Sequence, residues 1–354
     1  MTQLIVDAHL DLSYNAVALG RDLRLPLNEL RALERATPPP GKWSGAAMVT
    51  FPELRRGRVA VVGGSLFVEP AHASWDTSGL VYHNAEEAHA QALAQLETYF
   101  RWADAGELQF LRNNADLEAS LASWNTDLPM IGLFLVMEGA APIRKPEEVG
   151  WWVEQGLRGV GLSWAAGTSY AGGNANPGPL TDEGRALLRE MAAFNLLLDI
   201  SHLWETAAHE ALDCYPGPVA ASHANPRALR EGPRQLSDDL IRQLAERDGV
   251  IGIVPFNWML DAGWKADDAR LPLSRVVEAV DHVCQVTGSS RHVGLGTDCD
   301  GGMGMEKAPV GLDSVADLGK LGILLQERGY SADDIAAILH ANWLRLLRAT
   351  LSSF

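Results

Sequence analysis

Short apolar runs rich in β-branched residues alternate along the chain with stretches of helical periodicity. The apolar runs predict eight buried strands, at residues 4–6, 59–68, 131–137, 159–163, 196–200, 218–221, 249–254 and 292–296. Most segments between them repeat apolar residues with the period of a helix that has one buried face. Several of these segments open with Thr-Asp-Glu or Ser-Asp-Asp, which favours a capped helix with acidic residues in its first turn.

Eight strands alternating with helices in 354 residues predict an α/β fold, a (β/α)8 TIM barrel. An open, doubly wound sheet is the alternative. The glycine-rich motif that usually follows the first strand of its dinucleotide-binding version is missing here. We therefore expect residues 1–354 to form a single barrel domain. An elaborated connection is expected at about residues 21–58, with an irregular proline-rich part at 36–43.

Composition and charge exclude several classes of protein. Lys and Arg number 29 against 45 Asp and Glu, and the net charge of −16 repels nucleic acid and anionic membranes. No apolar run approaches the ~20 residues of a membrane span, and the N-terminus lacks the pattern of a signal peptide. We expect a cytoplasmic protein that binds neither membrane nor nucleic acid. Three distant cysteines without a CxxC pair favour neither a disulfide framework nor a cysteine zinc site.

Metal-binding and proton-transferring side chains follow several of the predicted strands. Barrel enzymes build their active sites at the C-terminal ends of the strands. The residues at these ends are His9 and Asp11 (strand one), Glu138 (strand three), His202 (strand five), His223 (strand six) and Asp298 (strand eight). Each residue alone has an ordinary structural explanation. Together, at one rim, they predict a metal site.

The types of ligand indicate which metals the site would take. Imidazole and carboxylate groups suit zinc, and also manganese, iron or cobalt. Three histidines with two or three carboxylates exceed the needs of one tetrahedral ion and favour two ions that share a bridging carboxylate. Some metallohydrolase barrels use a carbamylated lysine on strand four as the bridge, but no lysine ends a predicted strand here. We therefore expect Glu138 to be the bridging ligand.

Several longer motifs together resemble one enzyme family. The segments DAHLDL, MEGA, DISHLWETA, ASHANPRAL, REGPRQLSDDLIRQLAERDGVIGI and GLGTDCDG are similar to the membrane (renal) dipeptidases of the amidohydrolase superfamily, and to their soluble bacterial members in particular. The resemblance covers nearly the whole chain. Its most specific parts are the 21-residue separation of His202 and His223 and the block from His223 to Asp239.

The resemblance implies a barrel of the metal-dependent hydrolase type, often a homodimer, with two zinc ions per chain or other divalent metals in their place. The implied activity is hydrolysis of the amide bond of small dipeptides, L-Xaa-D-Xaa among them, by a water that bridges the two ions. Motif matching implies two ligand sets that share one carboxylate. One set is His9, Asp11 and Glu138, and the other is Glu138, His202 and His223.

The resemblance also implies roles for two residues outside the ligand sets. Asp298 would hydrogen-bond the bridging water and move its proton. Arg234, in the segment GPRQLSDD, would bind the C-terminal carboxylate of the dipeptide. The planar guanidinium group of an arginine suits that task because it can hold a carboxylate through two hydrogen bonds.

One position departs from the family pattern. The family carries a histidine at the end of strand four, where this chain reads Gly-Leu-Ser-Trp and places Trp164. An indole NH can donate one hydrogen bond but cannot carry charge or shuttle a proton. Trp164 would contact the substrate, and the Gly- and Asn-rich segment 165–184 would form a loop over the site that supplies an amide or backbone donor.

Because of this departure, two alternatives to a dipeptidase stay open. The first keeps the binuclear site but changes the substrate to another small amide, an N-acyl amino acid or a lactone. The second is a non-catalytic barrel that binds metal. The complete set of apparent ligands favours catalysis over the second alternative.

Overall fold

The computed structural model describes residues 3–40, 45–73 and 80–352. Within these ranges eight strands form a closed barrel: β1 (Ile5–Leu10), β2 (Val59–Phe67), β3 (Ile131–Glu138), β4 (Leu157–Gly161), β5 (Leu197–Asp199), β6 (Val219–Ala221), β7 (Val250–Ile253) and β8 (Val293–Leu295). Each strand pairs in parallel with the next, and β8 pairs with β1. Every predicted run overlaps one of these strands, so the (β/α)8 barrel is confirmed, and closure excludes the open sheet.

Helices occupy most of the connections between the strands. In chain order they are α1 (Leu12–Leu19), α2 (Leu27–Ala36), α3 (Phe51–Arg56), α4 (Ala85–Asp104), α5 (Asn114–Ser123), α6 (Val149–Glu154), α7 (Asp182–Ala193), α8 (Glu205–Cys214), α9 (Asp238–Glu246), α10 (Asn257–Leu260), α11 (Ser274–Thr287), α12 (Lys320–Arg328), α13 (Ala332–Ala336) and α14 (Asn342–Leu351). The predicted caps form, since the side chains of Thr181 and Ser237 accept hydrogen bonds from backbone N–H groups of α7 and α9. None of the helices in the described ranges is both long enough and apolar enough to cross a bilayer.

Several shorter strands lie outside the eight-stranded barrel. Leu108–Phe110 pairs in parallel with β3, and Glu69–Pro70 pairs with Val81–Tyr82. After β4, Ala171–Gly173 and Asn176–Leu180 form an antiparallel hairpin inside the predicted loop 165–184. The barrel strands themselves are buried along their whole length, as parallel strands covered on both faces must be.

A buried arginine joins the connection between β1 and β2 to the loop after β8. The Nε atom of Arg21 lies 2.6 Å from a carboxylate oxygen of Glu34, and its Nη1 atom lies 3.4 Å from the carboxylate of Asp300. The same Asp300 carboxylate accepts hydrogen bonds from the backbone N–H groups of Met48 and Val49. The connection therefore packs on the barrel, although residues 41–43 of the predicted irregular part lie outside the described residues. The single-domain assignment stays a prediction.

Replacing Arg21 with Met is expected to lower the free energy of unfolding by about 3–5 kcal/mol, because the buried carboxylate of Asp300 and the partly buried carboxylate of Glu34 lose their cation. Urea denaturation of the two proteins measures this difference. The matched control is Arg24→Met, whose ion pair with Asp22 is exposed and is worth at most about 1 kcal/mol. Equal effects of the two substitutions would show that the buried network does not hold the connection in place.

Candidate metal centre

Five of the predicted site residues meet at the C-terminal mouth of the barrel. One carboxylate oxygen of Glu138 lies 3.2 Å from Nε2 of His9, while its other oxygen lies 3.0 Å from Nε2 of His202 and 3.3 Å from Nε2 of His223. Asp11 adds an oxygen 3.7 Å from Nε2 of His9. Two three-residue groups thus have ligand atoms close enough to hold an ion, and Glu138 belongs to both.

His9 shows that the cluster suits a cation. Its ring is fully buried, and its Nε2 atom has no hydrogen-bond partner among the described residues although carboxylates surround it. A buried polar atom without a partner is costly unless another species binds it. A divalent ion held by an imidazole and two carboxylates would satisfy this atom.

The charges of the centre support the same interpretation. Burial and the neighbouring Glu138 raise the pKa of Asp11 to about 7, and burial, with Asp11 and Glu138 adding to it, raises that of Asp298 well above its usual value. Burial alone would lower the pKa of His9, but Glu138 and Asp11 outweigh it and raise the pKa to about 10. The protein alone therefore retains protons at its centre, which bound cations would displace.

The two remaining histidines are held neutral, the form in which imidazole binds metal. Burial, reinforced by the charge of Arg234, lowers the pKa of His202 to about 4, and burial lowers that of His223 well below its usual value. Nδ1 of His202 lies 2.9 Å from the side-chain oxygen of Asn174. That contact places the ring proton on Nδ1 and turns the lone pair of Nε2 toward Glu138.

A carboxylate behind the centre orients His223. Asp199 accepts hydrogen bonds from the backbone N–H and the hydroxyl of Ser222, and from the backbone N–H of Ser201. Because the Ser222 hydroxyl donates to Asp199, its oxygen accepts the Nδ1 proton of His223, 2.7 Å away. The lone pair of Nε2 in His223 then faces Glu138. Asp199 also lies near His9 and His223 in a third candidate group, but these hydrogen bonds already engage both its oxygens.

Replacing Asp199 with Asn is expected to weaken zinc binding about 10- to 100-fold, because the ring of His223 loses the support that fixes its orientation. Competition with a chromophoric chelator measures the dissociation constant directly. Ser222→Ala should reproduce the effect, whereas Asp213→Asn, which removes a carboxylate bound to Gln243 on the surface, should not. Unchanged zinc affinity in Asp199→Asn would disprove the orienting role.

Asp298 joins the centre from the loop after β8. Its backbone is in the left-handed region with φ of 55°, and its N–H donates to the carbonyl of His9 over 3.1 Å. A Cβ atom on Gly301 would lie 1.9 Å from a carboxylate oxygen of Asp298 and 2.8 Å from one of Asp11. Gly301 is therefore required for the loop to close over both carboxylates.

Arg234 is fixed beside the two neutral histidines. Its Nη1 donates to the carbonyl of Ser201 over 2.9 Å, and its Nη2 donates to the carbonyl of His223 over 2.8 Å. These bonds use two of the five guanidinium N–H groups. The side chain lines a cavity of about 690 Å³ above the metal cluster, together with Glu138, His202 and Asp298.

A family model described as membrane dipeptidase (peptidase family M19) matches residues 1–353. The chain belongs to the membrane dipeptidase family. An uncharacterized dipeptidase of Schizosaccharomyces pombe is 29% identical over 322 residues, covering 84% of this chain and 72% of the relative. The dipeptidase aclJ of Aspergillus oryzae is 27% identical over 307 residues, 84% of this chain and 69% of the relative.

Solved structures agree on the fold of this dipeptidase-family chain. A metallopeptidase from Rhodobacter sphaeroides, liganded with a phosphinate mimic of the dipeptide L-Ala-D-Ala, superimposes with a TM-score of 0.81 at 23% identity, covering 99% of this chain and all of the other. A metallopeptidase described as dipeptidase AC gives 0.80 with the same identity and coverage. Family membership makes the chain a metallo-dipeptidase, for which a divalent metal is expected, and favours an enzyme over a non-catalytic barrel.

Trp164 lies at the site, where the resemblance to the dipeptidases places a histidine. Its ring lines the cavity, with its centroid 6.1 Å from the ring of His202 and 5.0 Å from that of Phe67. The segment 165–184 brings one amide to the site, but its oxygen accepts from Nδ1 of His202, so the expected donor to the substrate stays a prediction. That amide is Asn174, which also donates its backbone N–H to the carbonyl of His202.

Sequence reasoning missed two groups of residues at this dipeptidase-family site. The first is the support behind the ligands: Ser65, which donates to Asp11, and the pair Asp199 and Ser222. Asp199 lies at the end of β5 in the same DISH motif as His202, so the strand-end rule could have found it. The second group is the set of apolar residues after β7 that line the cavity, namely Phe256, Trp258, Met259 and Trp264. They follow the C-terminal end of a barrel strand, so the strand-end rule could have found them as well.

Proposed function

We propose that the chain hydrolyses the amide bond of small dipeptides, L-Xaa-D-Xaa among them, and uses two divalent ions. The first choice for these ions is zinc. The observation that carries this proposal is the placement of Glu138. One of its carboxylate oxygens faces His9, and the other faces His202 and His223. His9 and Asp11 would hold one ion with Glu138, and His202 and His223 the other. The related metallopeptidase that binds a mimic of L-Ala-D-Ala supports this class of substrate.

Bound in this centre, the ions would supply Lewis acidity for the scissile carbonyl and a lowered pKa for a water nucleophile. Asp298 belongs to none of the candidate ligand groups of the described residues, so its carboxylate can accept a proton from the water and deliver it to the leaving amine. Arg234 would bind the C-terminal carboxylate, and Trp164 would contact the substrate from the wall of the cavity.

The test of this function is turnover by the zinc-loaded protein on L,L- and L,D-dipeptides, with N-acetyl amino acids alongside and the metal content measured on the same sample. Dipeptide cleavage with about two ions per chain is the expected result. Cleavage of N-acetyl amino acids alone would establish the alternative, an amidohydrolase for other small amides, N-acyl amino acids or lactones. Trp164 motivates that alternative because its indole cannot replace the charge of an imidazole.

Replacing Arg234 with Met is expected to raise KM for free-carboxylate dipeptides about 10- to 100-fold, because a charged hydrogen-bond donor to the substrate is lost. Steady-state kinetics with a dipeptide and with its C-terminal amide distinguish a loss of carboxylate binding from a general loss of activity. The amide should lose little, since it lacks the carboxylate. Arg242→Met, on the exposed face of α9, is the matched control. An equal loss on both substrates would mean that Arg234 serves the fold rather than the carboxylate.

We further propose that the protein is a cytoplasmic homodimer that binds no nucleic acid or membrane. The resemblance to the dipeptidases supports the dimer, and the net charge of −16 supports the absence of anionic partners. Light scattering after size-exclusion chromatography would give the mass in solution, and a monomer would contradict this proposal.

A further inference from the structure

A wall of apolar side chains borders the cavity next to Arg234. Phe256, Trp258, Met259 and Trp264 all line the cavity and come from the segment that follows β7. The indole NH of Trp264 donates to the carbonyl of Ala269 over 2.9 Å, so its polar edge is satisfied by the backbone. The wall therefore offers mainly apolar surface to whatever occupies the cavity.

The wall is fixed to the residues on both sides of Arg234. The guanidinium carbon of Arg230 lies 4.2 Å from the ring centroid of Trp258, a cation–π contact. On the other side, the Gln235 side chain donates to the carbonyl of Met259 over 3.0 Å. These two contacts hold Trp258 and Met259 at a set position relative to Arg234.

The exposure of Trp258 is unusual for a residue held in this way. The residue is 37% exposed, although its ring stacks on Arg230 and its ring centroid lies 6.0 Å from that of Phe256. A large aromatic surface left open at the mouth of a cavity gains free energy when a ligand covers it. The carboxylates at the bottom of the cavity are not available to bind this part of a ligand, because they are assigned to metal binding and proton transfer.

We infer that the residue whose carboxylate binds Arg234, the C-terminal residue of the substrate, carries a large apolar side chain that packs on this wall. The inference rests on the proposed dipeptidase function. The side chain and the carboxylate of that residue are attached to the same α-carbon, so the side chain lies close to the groups beside Arg234. Trp258 and Met259 are the apolar side chains fixed to residues next to Arg234, with the ring of Phe256 beside Trp258, and they determine the preference for leucine- or phenylalanine-sized groups over alanine.

An acidic side chain is the rival occupant. Lys307 lines the same cavity but lies in the loop after β8, whereas the apolar wall lies in the segment after β7. A substrate ending in glutamate would use this ammonium group instead of the aromatic surface. The two chemistries give opposite orders of preference, which a single substrate series resolves.

The experiment uses the zinc-loaded full chain and the series Ala-Xaa, with Xaa as Phe, Leu, Ala or Glu in both configurations. We expect kcat/KM for Phe and Leu to exceed that for Ala about 10- to 100-fold. Trp258→Ala should reduce the ratio of Phe to Ala about 10-fold, and Trp258→Phe should keep most of it. The matched control is Trp151→Ala on α6, a similarly exposed tryptophan that lines no part of this cavity and should leave the ratio unchanged.

A second measurement separates the failure of this inference from the failure of the proposed function. Calorimetric titration of the zinc-loaded protein with free phenylalanine and with free alanine requires no turnover. If no dipeptide is cleaved but phenylalanine binds at least about 10-fold tighter than alanine, and Trp258→Ala abolishes the difference, the apolar subsite stands and the dipeptidase proposal falls. Cleavage of dipeptides with a flat series, or with Glu preferred, would overturn the subsite and leave the dipeptidase in place.

Discussion

Replacing Glu138 with Gln is expected to remove metal from both candidate clusters at once and to lower kcat/KM at least about 10³-fold. Glu138 is the residue common to both groups of ligands, and each of its oxygens faces a different one. An amide supplies one oxygen where a bridging carboxylate supplies two. Metal content by mass spectrometry, together with turnover of a dipeptide, measures the two losses on one sample.

The control for this substitution is Glu118→Gln, which removes a carboxylate paired with Arg348 on the surface and should change neither quantity. Circular dichroism of the Glu138→Gln protein would check that the barrel still forms. A variant that keeps about two ions per chain would contradict the bridging role. A variant that keeps one ion would place Glu138 in a single cluster, with another residue completing the second.

Replacing Asp298 with Asn is expected to lower kcat about 10²- to 10⁴-fold while the metal content stays unchanged. The side chain lies beside Asp11 but outside the candidate ligand groups, so its loss should remove proton transfer and leave the ions in place. Steady-state kinetics and metal analysis test both parts of the expectation. Asp239→Asn, an exposed carboxylate on α9, is the control. Loss of metal from the Asp298→Asn protein would instead make Asp298 a ligand.

The barrel could be predicted because its parallel strands are covered on both faces and therefore appear as continuous apolar runs. The first strand shows the limit of that signal. The prediction ended at residue 6, whereas β1 continues to Leu10 through Asp7 and His9. Asp7 is tolerated inside because its carboxylate accepts hydrogen bonds from the backbone and hydroxyl of Thr297. A partner 290 positions away leaves no trace in the local pattern.

The residues of the candidate site were predictable for a related reason. The C-terminal ends of parallel strands meet at one rim, so side chains that are distant in sequence could be assigned to one place before any distance was known. The support behind them was not predictable, because it depends on which oxygen each hydroxyl contacts. Ser222 orients His223 only because its hydroxyl donates a hydrogen bond to Asp199, 23 positions earlier, which leaves the hydroxyl oxygen as the acceptor for His223.

Closure of the barrel between β1 and β8 has a consequence for the order of events during synthesis. His9 and Asp11 are translated before the other candidate ligands, yet their strand pairs with Val293–Leu295, and Asp7 bonds to Thr297. Most of the chain must therefore be translated before the first strand reaches its final position. The growing chain can bring Glu138, His202 and His223 together earlier, but the part of the candidate centre that contains His9 reaches its final position only after β8 has been translated.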